Sequence, residues 1–295
     1  MKLLFISSLE RSGSTILDLK LSGLPNAVSF GEVWRVIMPH GGGLDTVKSR
    51  RCTCGEKAHR CSLWSRVFSE IERQNSQTLA QRYDVFLSVV GSIYGKNTVV
   101  IDSSKSIQSM QALSQIKNAK VYVIHTVRDV RGWMLSIRKA ERRKKELPWG
   151  KILEKDFRFF FLSYVRHNIL RMIPLWLANE WLLRNKRLLN HIKSNQFPVL
   201  KTSYEELVFN TDSTVQKITD FLSLSSEEET IPCNKKTHVI RGNRTAFNSS
   251  PQDSLYYEPS WMSFWRCSAI LACMPWVAYC NKRWVYGYLK INKAD

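Results

Sequence analysis

The chain has 295 residues, 44% of them hydrophobic and 23% charged, enough for one large domain or two small ones, which excludes global disorder. Its net charge of +19 implies a polyanion, an anionic surface or a highly charged small ligand, without choosing among them. No run reaches the ~18 apolar residues of a membrane-spanning helix; the longest candidate, Cys267 to Cys280, is short and contains Pro275.

Met1 to Ile6 opens like a leader peptide, but the apolar run ends at Ser7, short of the ~7–15 residues a leader needs, and Glu10-Arg11 follow. The segment therefore reads as a first strand, Lys2–Ser7, of a protein expected in the cytoplasm. The sequons at Asn243 and Asn248 matter only if the chain is secreted. Further strands are expected at Thr98–Asp102, Val121–Val127 and Pro198–Ser203. None alternates cleanly, as befits strands covered on both faces. Helices are expected at Ser14–Ser22, Gln77–Tyr94, Ile107–Lys117, Val130–Lys145, roughly Lys155–Ile192 with a kink or break at Pro174, and Ser213–Leu222. Ser203-Tyr204-Glu205-Glu206 reads as a capping box that hands the last strand to a helix. Strands alternating with helices predict βαβ units around a parallel sheet. The fold class is thus α/β, a P-loop-like three-layer sandwich forming one domain over 1–295. The Gly- and Cys-rich excursion around 40–64 and the polar stretch from Ser225 to Glu258 interrupt the pattern.

The chemistry begins after the first strand, at Ser8-Leu9-Glu10-Arg11-Ser12-Gly13-Ser14-Thr15. A strand–turn–helix with small residues turns backbone N–H groups and a helix N-terminus toward an anion. Gly13 permits close approach, Ser14 and Thr15 add hydroxyls, and Arg11 adds charge. The turn is not a Walker P-loop, because Ser8 replaces its first glycine and Ser14 its lysine. A metal-dependent nucleotide kinase is therefore the weaker reading. The strand Val121–Val127 ends in Arg128, and Ser136 follows eight residues on, about two turns into the next helix. Ligands of open α/β sheets bind at the carboxyl ends of strands. Arg128 and Ser136 there make a second phosphate clamp, so the pair of clamps suits a nucleotide phosphorylated at both ends of its ribose.

Arg11–Thr15 followed by Arg128 and Ser136 resembles the sulfotransferases that use 3′-phosphoadenylyl sulfate (PAPS), in particular their tyrosylprotein, Golgi carbohydrate and bacterial members. Ile101–Lys105, Ser203–Leu207, His238–Arg244 and Tyr286-Gly287-Tyr288 are similar to later stations of that family in its usual order. The resemblance implies that Arg11, Ser12, Gly13, Ser14 and Thr15 hold the 5′-phosphosulfate, and Arg128 and Ser136 the 3′-phosphate, with Arg241, Gly242 and Asn243 closing over it. Tyr204 would lie near the adenine, in competition with plain core packing. Lys105 matches a lysine that stabilises the transferring sulfuryl group, although Ser106-Ile107 replace the Asp-Pro that often follows it. Glu32 stands 21 residues after Arg11, where tyrosylprotein sulfotransferases place their catalytic glutamate. A carboxylate in reach of the acceptor hydroxyl can take its proton as it attacks sulfur. His238 is the rival base, and Asp18 a third option expected on the surface of its helix.

By this reading the donor is PAPS, the product PAP, and no metal is required. The acceptor bears a hydroxyl on a carbohydrate, lipid or small metabolite, an acidic one if the basic run Glu141–Glu146 recruits it. The net charge alone would also suit a non-enzymatic nucleic-acid-binding protein, but no motif of that kind is present, so no nucleic-acid partner is expected. Cys52, Cys54, His59 and Cys61 form a compact cluster whose spacing is unlike the usual zinc pattern. Reduced structural thiols rank ahead of a disulfide and of a metal. Trp261, Trp265, Trp276 and Trp284 suit an amphipathic core helix ahead of peripheral contact with a membrane surface, and Trp176 and Trp181 suit the core. Oligomeric state is not readable from the sequence.

Overall fold

In a computed structural model of the chain, five strands form one parallel sheet in the order β2-β3-β1-β4-β5. They are β1 (Lys2–Ser8), β2 (Ala27–Ser29), β3 (Val99–Asp102), β4 (Lys120–Val127) and β5 (Val199–Ser203). The structure describes residues 1–24, 26–38, 44–76, 78–144, 174–224, 237–242, 251, 253, 255–262 and 265–287. Asn243, both sequons, the glycines at 41–43, Tyr288 and the expected helical stretch 155–173 lie outside them.

Each central strand is apolar on both faces and feeds two cores. Leu3 and Phe5 of β1, Val100 of β3 and Val123 of β4 join one cluster. Leu4 and Ile6 of β1, Ile101 of β3 and Ile124 of β4 join the other. The first core is closed by α2 (Trp34–Ile37), α4 (Trp64–Arg73), α5 (Leu79–Tyr94), α6 (Ile107–Leu113), α7 (Val130–Lys144) and α8 (Pro174–Ser194). The second is closed by α1 (Ser14–Leu21), α9 (Tyr204–Phe209) and α10 (Thr211–Phe221). The layering is helix, sheet, helix, which is the expected class. The remaining helices are α3 (Asp45–Lys48), α11 (Trp265–Cys273) and α12 (Pro275–Asn281), the last running into a π-helical turn, Lys282–Tyr286.

Local chemistry accounts for several boundaries that differ from expectation. Helix α5 begins later than predicted because Thr78 caps it in a reciprocal box with Gln81, each side chain bonding the other's backbone N–H. At the β5–α9 junction only half of the predicted box forms. The Ser203 hydroxyl accepts from the Glu206 N–H at 3.0 Å, while the Glu206 carboxylate turns to the Thr202 hydroxyl and Lys217. Strand β2 is three residues long, too short for any periodicity to show, and α2, α3 and α4 were likewise not predicted.

Two tryptophans tie helices to the loops that leave the sheet. The Trp133 indole N–H donates to the Glu10 carbonyl at 2.8 Å, and that of Trp181 to the Arg128 carbonyl at 3.0 Å. Both are fully buried. Trp176, Trp265 and Trp276 are exposed, contrary to the core reading. No helix among the described residues is long and apolar enough to cross a membrane.

Candidate active site

Because the five strands are parallel, their carboxyl ends open on one edge of the sheet, where open α/β sheets bind ligands. Each strand delivers a residue to that edge. A cavity of about 360 Å³ there is lined by Arg11 and Gly13 after β1, Glu32 after β2, Lys105 after β3, Arg128 after β4 and Tyr204 after β5. Glu10, Ser14, Thr15, Arg35, Ser136 and Gly242 complete the lining. Most of the candidates scattered along the chain therefore meet at one site.

The first turn is built by unusual backbone. Arg11 and Gly13 both have positive φ, 67° and 84°, and Gly13 is the N-cap of α1 without a side-chain cap. The first N–H groups of α1, those of Ser14 and Thr15, have no acceptor within their own helix. Glycine at 13 is also a matter of space, since a Cβ there would lie 2.5 Å from Tyr204 Cδ2. Tyr204 in turn carries Arg128, whose guanidinium carbon lies 4.4 Å from the ring centroid. Arg128 Nη1 donates to the Arg11 carbonyl at 3.2 Å, joining the two clamps, while its Nε is buried without a partner. Neither arginine has a carboxylate partner among the described residues. Tyr204 is buried between these groups and Tyr257, so it works as packing and lining at once.

Beneath Arg128 a buried network fixes the start of α7. Asp129 accepts from Arg131 Nε at 2.9 Å and Nη2 at 2.8 Å, from Asn281 at 2.9 Å and from the Tyr286 hydroxyl at 2.7 Å. Burial alone would raise its carboxyl, but the hydrogen bonds and charge of Arg131, then Asn281 and Tyr286, hold it below the usual range. The adjacent Glu205 accepts the Asp129 N–H at 3.1 Å and is raised to about 7, by burial first and then by the Asp129 charge. Tyr286 thus belongs to the support of the arginine clamp.

The carboxylate side of the cavity is built from the ends of β2 and β3. Gly31 has φ 63°, and a Cβ there would meet Val239 Cγ1 at 2.6 Å and the Arg241 carbonyl at 2.7 Å. That close approach lets the Glu32 N–H donate to the Arg241 carbonyl at 3.0 Å. The Glu32 carboxylate accepts from Lys105 Nζ at 3.2 Å and pairs with Arg35 Nε at 3.0 Å. Lys105, at φ 61°, follows a serine pair held by buried carboxylates. Asp102 accepts from Ser104 through its backbone N–H and its hydroxyl, and from the Tyr83 hydroxyl at 2.7 Å.

Several candidates are placed differently from expectation. Asp18 is buried rather than on a helix surface, accepting from Ser29 at 2.6 Å and Ser103 at 2.8 Å, and burial raises it to about 6. It braces α1 against the ends of β2 and β3. Ser12 is buried beneath the turn and does not line the cavity. Arg241 contributes its carbonyl rather than a cavity wall; burial first, then the charges of Arg50 and Arg35, lowers its guanidinium. His238 stands apart from the cavity. Its ring stacks on Phe30, accepts or donates at 2.6 Å with the Tyr94 hydroxyl, and faces Cys52 and Cys61. It is not among the residues that line the cavity. His59 also leaves the cysteine cluster, being exposed and bonded to the Lys48 carbonyl. Glu10 and Arg35 were missed, although both adjoin residues already chosen, Arg11 in sequence and Glu32 one helical turn away.

A model of the sulfotransferase family matches residues 4–228, which carry Arg11, Glu32, Lys105, Arg128 and Tyr204. No curated protein matches the chain. Among solved structures it is similar to a sulfotransferase from Alicyclobacillus acidocaldarius, at 16% identity and TM-score 0.44 over 94% of this chain and 95% of that one. It is also similar to the sulfotransferase domain from the curacin biosynthetic pathway, at 14% identity and TM-score 0.40 over 92% and 96%. A third is mouse sulfotransferase SULT7A1 complexed with PAP, at 12% identity and TM-score 0.40 over 96% and 89%. With the family model spanning well over half of its length, the chain belongs to the sulfotransferase family.

Proposed function

We propose that the chain transfers the sulfuryl group of PAPS to a hydroxyl acceptor, with the strand-end cavity as the donor site. The observation that carries this reading is the convergence of two cationic clamps, Arg11 with the α1 turn and Arg128 with Ser136, on one cavity that also contains a carboxylate and a lysine. The donor fits the residues present. The first turn offers helix N-terminal N–H groups to an anion, and Arg128 has a buried Nε still without an acceptor.

When bound, PAPS supplies an activated sulfuryl group on the bridging oxygen of its 5′-phosphate. Arg11 and the α1 amides hold the phosphosulfate, and Arg128 and Ser136 hold the 3′-phosphate. Glu32 accepts the proton of the acceptor hydroxyl as the new O–S bond forms. Lys105 Nζ sits 3.2 Å from that carboxylate, and its charge would stabilise the equatorial oxygens of the transferring sulfuryl group. The old S–O bond breaks toward the bridging oxygen, where Arg11 and the amides stabilise the charge that PAP carries away. As in phosphoryl transfer, positioning and preorganised charge supply most of the rate. A neighbouring cavity of about 310 Å³ shares Lys105 and is lined by Arg187 and by Arg184, which is paired with Glu10 and Glu180; Lys105 and Arg187 are the charges there that would favour an acidic acceptor.

Calorimetry with PAP, set against ATP with Mg²⁺, tests the donor, and transfer of labelled sulfate from PAPS tests the reaction. Tight binding of PAP that is lost in Arg128→Ala is expected. Preference for ATP with Mg²⁺ would overturn the reading.

A further inference from the structure

The three cysteines near the first irregular segment do not sit alone. The fold brings His238, 177 residues beyond Cys61, onto them. One ligand atom from each of Cys52, Cys54, Cys61 and His238 lies within 4.8 Å of all the others. Cys61 Sγ is 3.8 Å from Cys52 Sγ and 3.3 Å from His238 Nδ1, and Cys52 Sγ is 3.7 Å from the same nitrogen. A tetrahedral zinc ion, with bonds of ~2.3 Å to sulfur and ~2.0 Å to nitrogen, sets its ligands about 3.8 Å (S to S) and about 3.5 Å (S to N) apart. A disulfide needs ~2.05 Å between sulfurs and would leave one thiol and the imidazole with no role.

We infer that Cys52, Cys54, Cys61 and His238 form a structural zinc site. The surroundings suit it in three ways. The other ring nitrogen of His238, Nε2, meets the Tyr94 hydroxyl at 2.6 Å, the kind of outer partner that orients a ligating histidine. The Cys52-Thr53-Cys54-Gly55 turn is shaped for convergence, with Gly55 at φ 96° and its N–H donating to the Cys52 carbonyl at 3.0 Å. The turn is also docked on the histidine's segment. The Thr53 N–H donates to the Val239 carbonyl at 3.0 Å, and the Val239 N–H to the Thr53 hydroxyl at 2.9 Å. Cys52, Cys61 and His238 are buried and Cys54 is exposed, so the fourth ligand lies on the side from which an ion enters.

On binding, the three thiols release their protons to solvent and the imidazole binds neutral, through Nδ1. Four ligands fill the tetrahedron and leave no open position, so the ion is structural and takes no part in transfer. Its effect is to clamp the 52–61 loop to residues 238–242. That segment carries Gly242 into the cavity, and its Arg241 carbonyl holds the Glu32 backbone. The expectation that the protein needs no metal is thereby revised for the anchoring of the 52–61 loop, though not for chemistry. Zinc binds here whether or not PAPS is the donor.

The test uses the full chain, produced with zinc and freed of any histidine tag. Elemental analysis should find near-stoichiometric zinc. Replacement by Co²⁺ should give thiolate-to-metal charge-transfer bands and the intense visible bands of a tetrahedral site. Cys54→Ser, on the exposed ligand, should lose metal while keeping the fold by circular dichroism, and Cys273→Ser, distant and exposed, should keep metal. Tyr94→Phe should weaken retention ~10–100-fold. Only trace zinc with no cobalt bands, metal retained in Cys54→Ser, or an intact mass showing a disulfide among the three cysteines would each overturn the assignment.

Discussion

The Arg128 guanidinium lies over the Tyr204 ring, 4.4 Å from its centroid, and the same ring fills the space that a side chain at Gly13 would need. One aromatic residue just after β5 therefore lies between the turn after β1 and the arginine after β4.

Gly13→Ala is expected to cost ~1–2 kcal/mol from the left-handed backbone alone, and more because Tyr204 must shift. The larger effect falls on the donor, because displacing Tyr204 also displaces Arg128. Thermal unfolding and PAP calorimetry on the same samples check this. PAP affinity that stays at the wild-type value would show that the ring does not couple the clamps.

Arg128→Lys keeps the charge but loses the planar fork and its stacking on Tyr204. PAP binding should weaken by ~1.5–3 kcal/mol, as for a lost charge-assisted hydrogen bond. If the lysine variant binds as tightly as wild type, charge alone accounts for the second clamp.

Glu32→Gln should lower kcat ~10²–10⁴-fold, the range for a lost general base. PAP binding should not weaken, because the variant removes a negative charge from a cationic cavity. Steady-state rates and calorimetry separate the two effects. A rate within a few fold of wild type would require another base.

Burial raises Asp18 from the usual 3.8 to about 6. Between those values the folded protein binds more protons than the unfolded chain, so the contribution of Asp18 to stability is present below the lower value and is lost as pH rises through the upper one. Asp18→Asn removes this titration. The unfolding free energy of the variant minus that of wild type should therefore grow as pH rises through the window, by up to ~3 kcal/mol. Denaturant titrations across that pH range check it, and parallel curves would contradict it.

Trp181→Phe leaves the Arg128 carbonyl without its donor and should cost ~1–3 kcal/mol of stability. It should also weaken PAP binding, but not further in an Arg128→Ala background, because its effect on the ligand runs through that arginine. A double-mutant cycle by calorimetry reads this directly.

Much of the site was legible because its signals are local. Strand β1, the turn Arg11–Thr15 and helix α1 are contiguous, and so are β4, Arg128 and the helix bearing Ser136. Glu32 and Lys105 came from the family resemblance, Glu32 by its spacing from Arg11 and Lys105 by its match to a lysine of relatives. What stayed hidden depended on partners far along the chain. Asp18 looked like a surface residue because Ser29 and Ser103, which surround its carboxylate, come from two other elements. His59 looked like the fourth member of the cysteine cluster because it is near in sequence, whereas the fold supplies His238.

The amino-acid order by itself determined the alternation of strands and helices, the strand–turn–helix at Arg11–Thr15 and the identity of the charged residues, since each follows from a few neighbouring side chains. Which of those residues meet was decided only by the packed sheet. Parallel strands send all their carboxyl ends to one edge, in the order β2-β3-β1-β4-β5. That arrangement gathers Arg11, Glu32, Lys105, Arg128 and Tyr204 around one cavity and turns His238 away from it, toward sulfur.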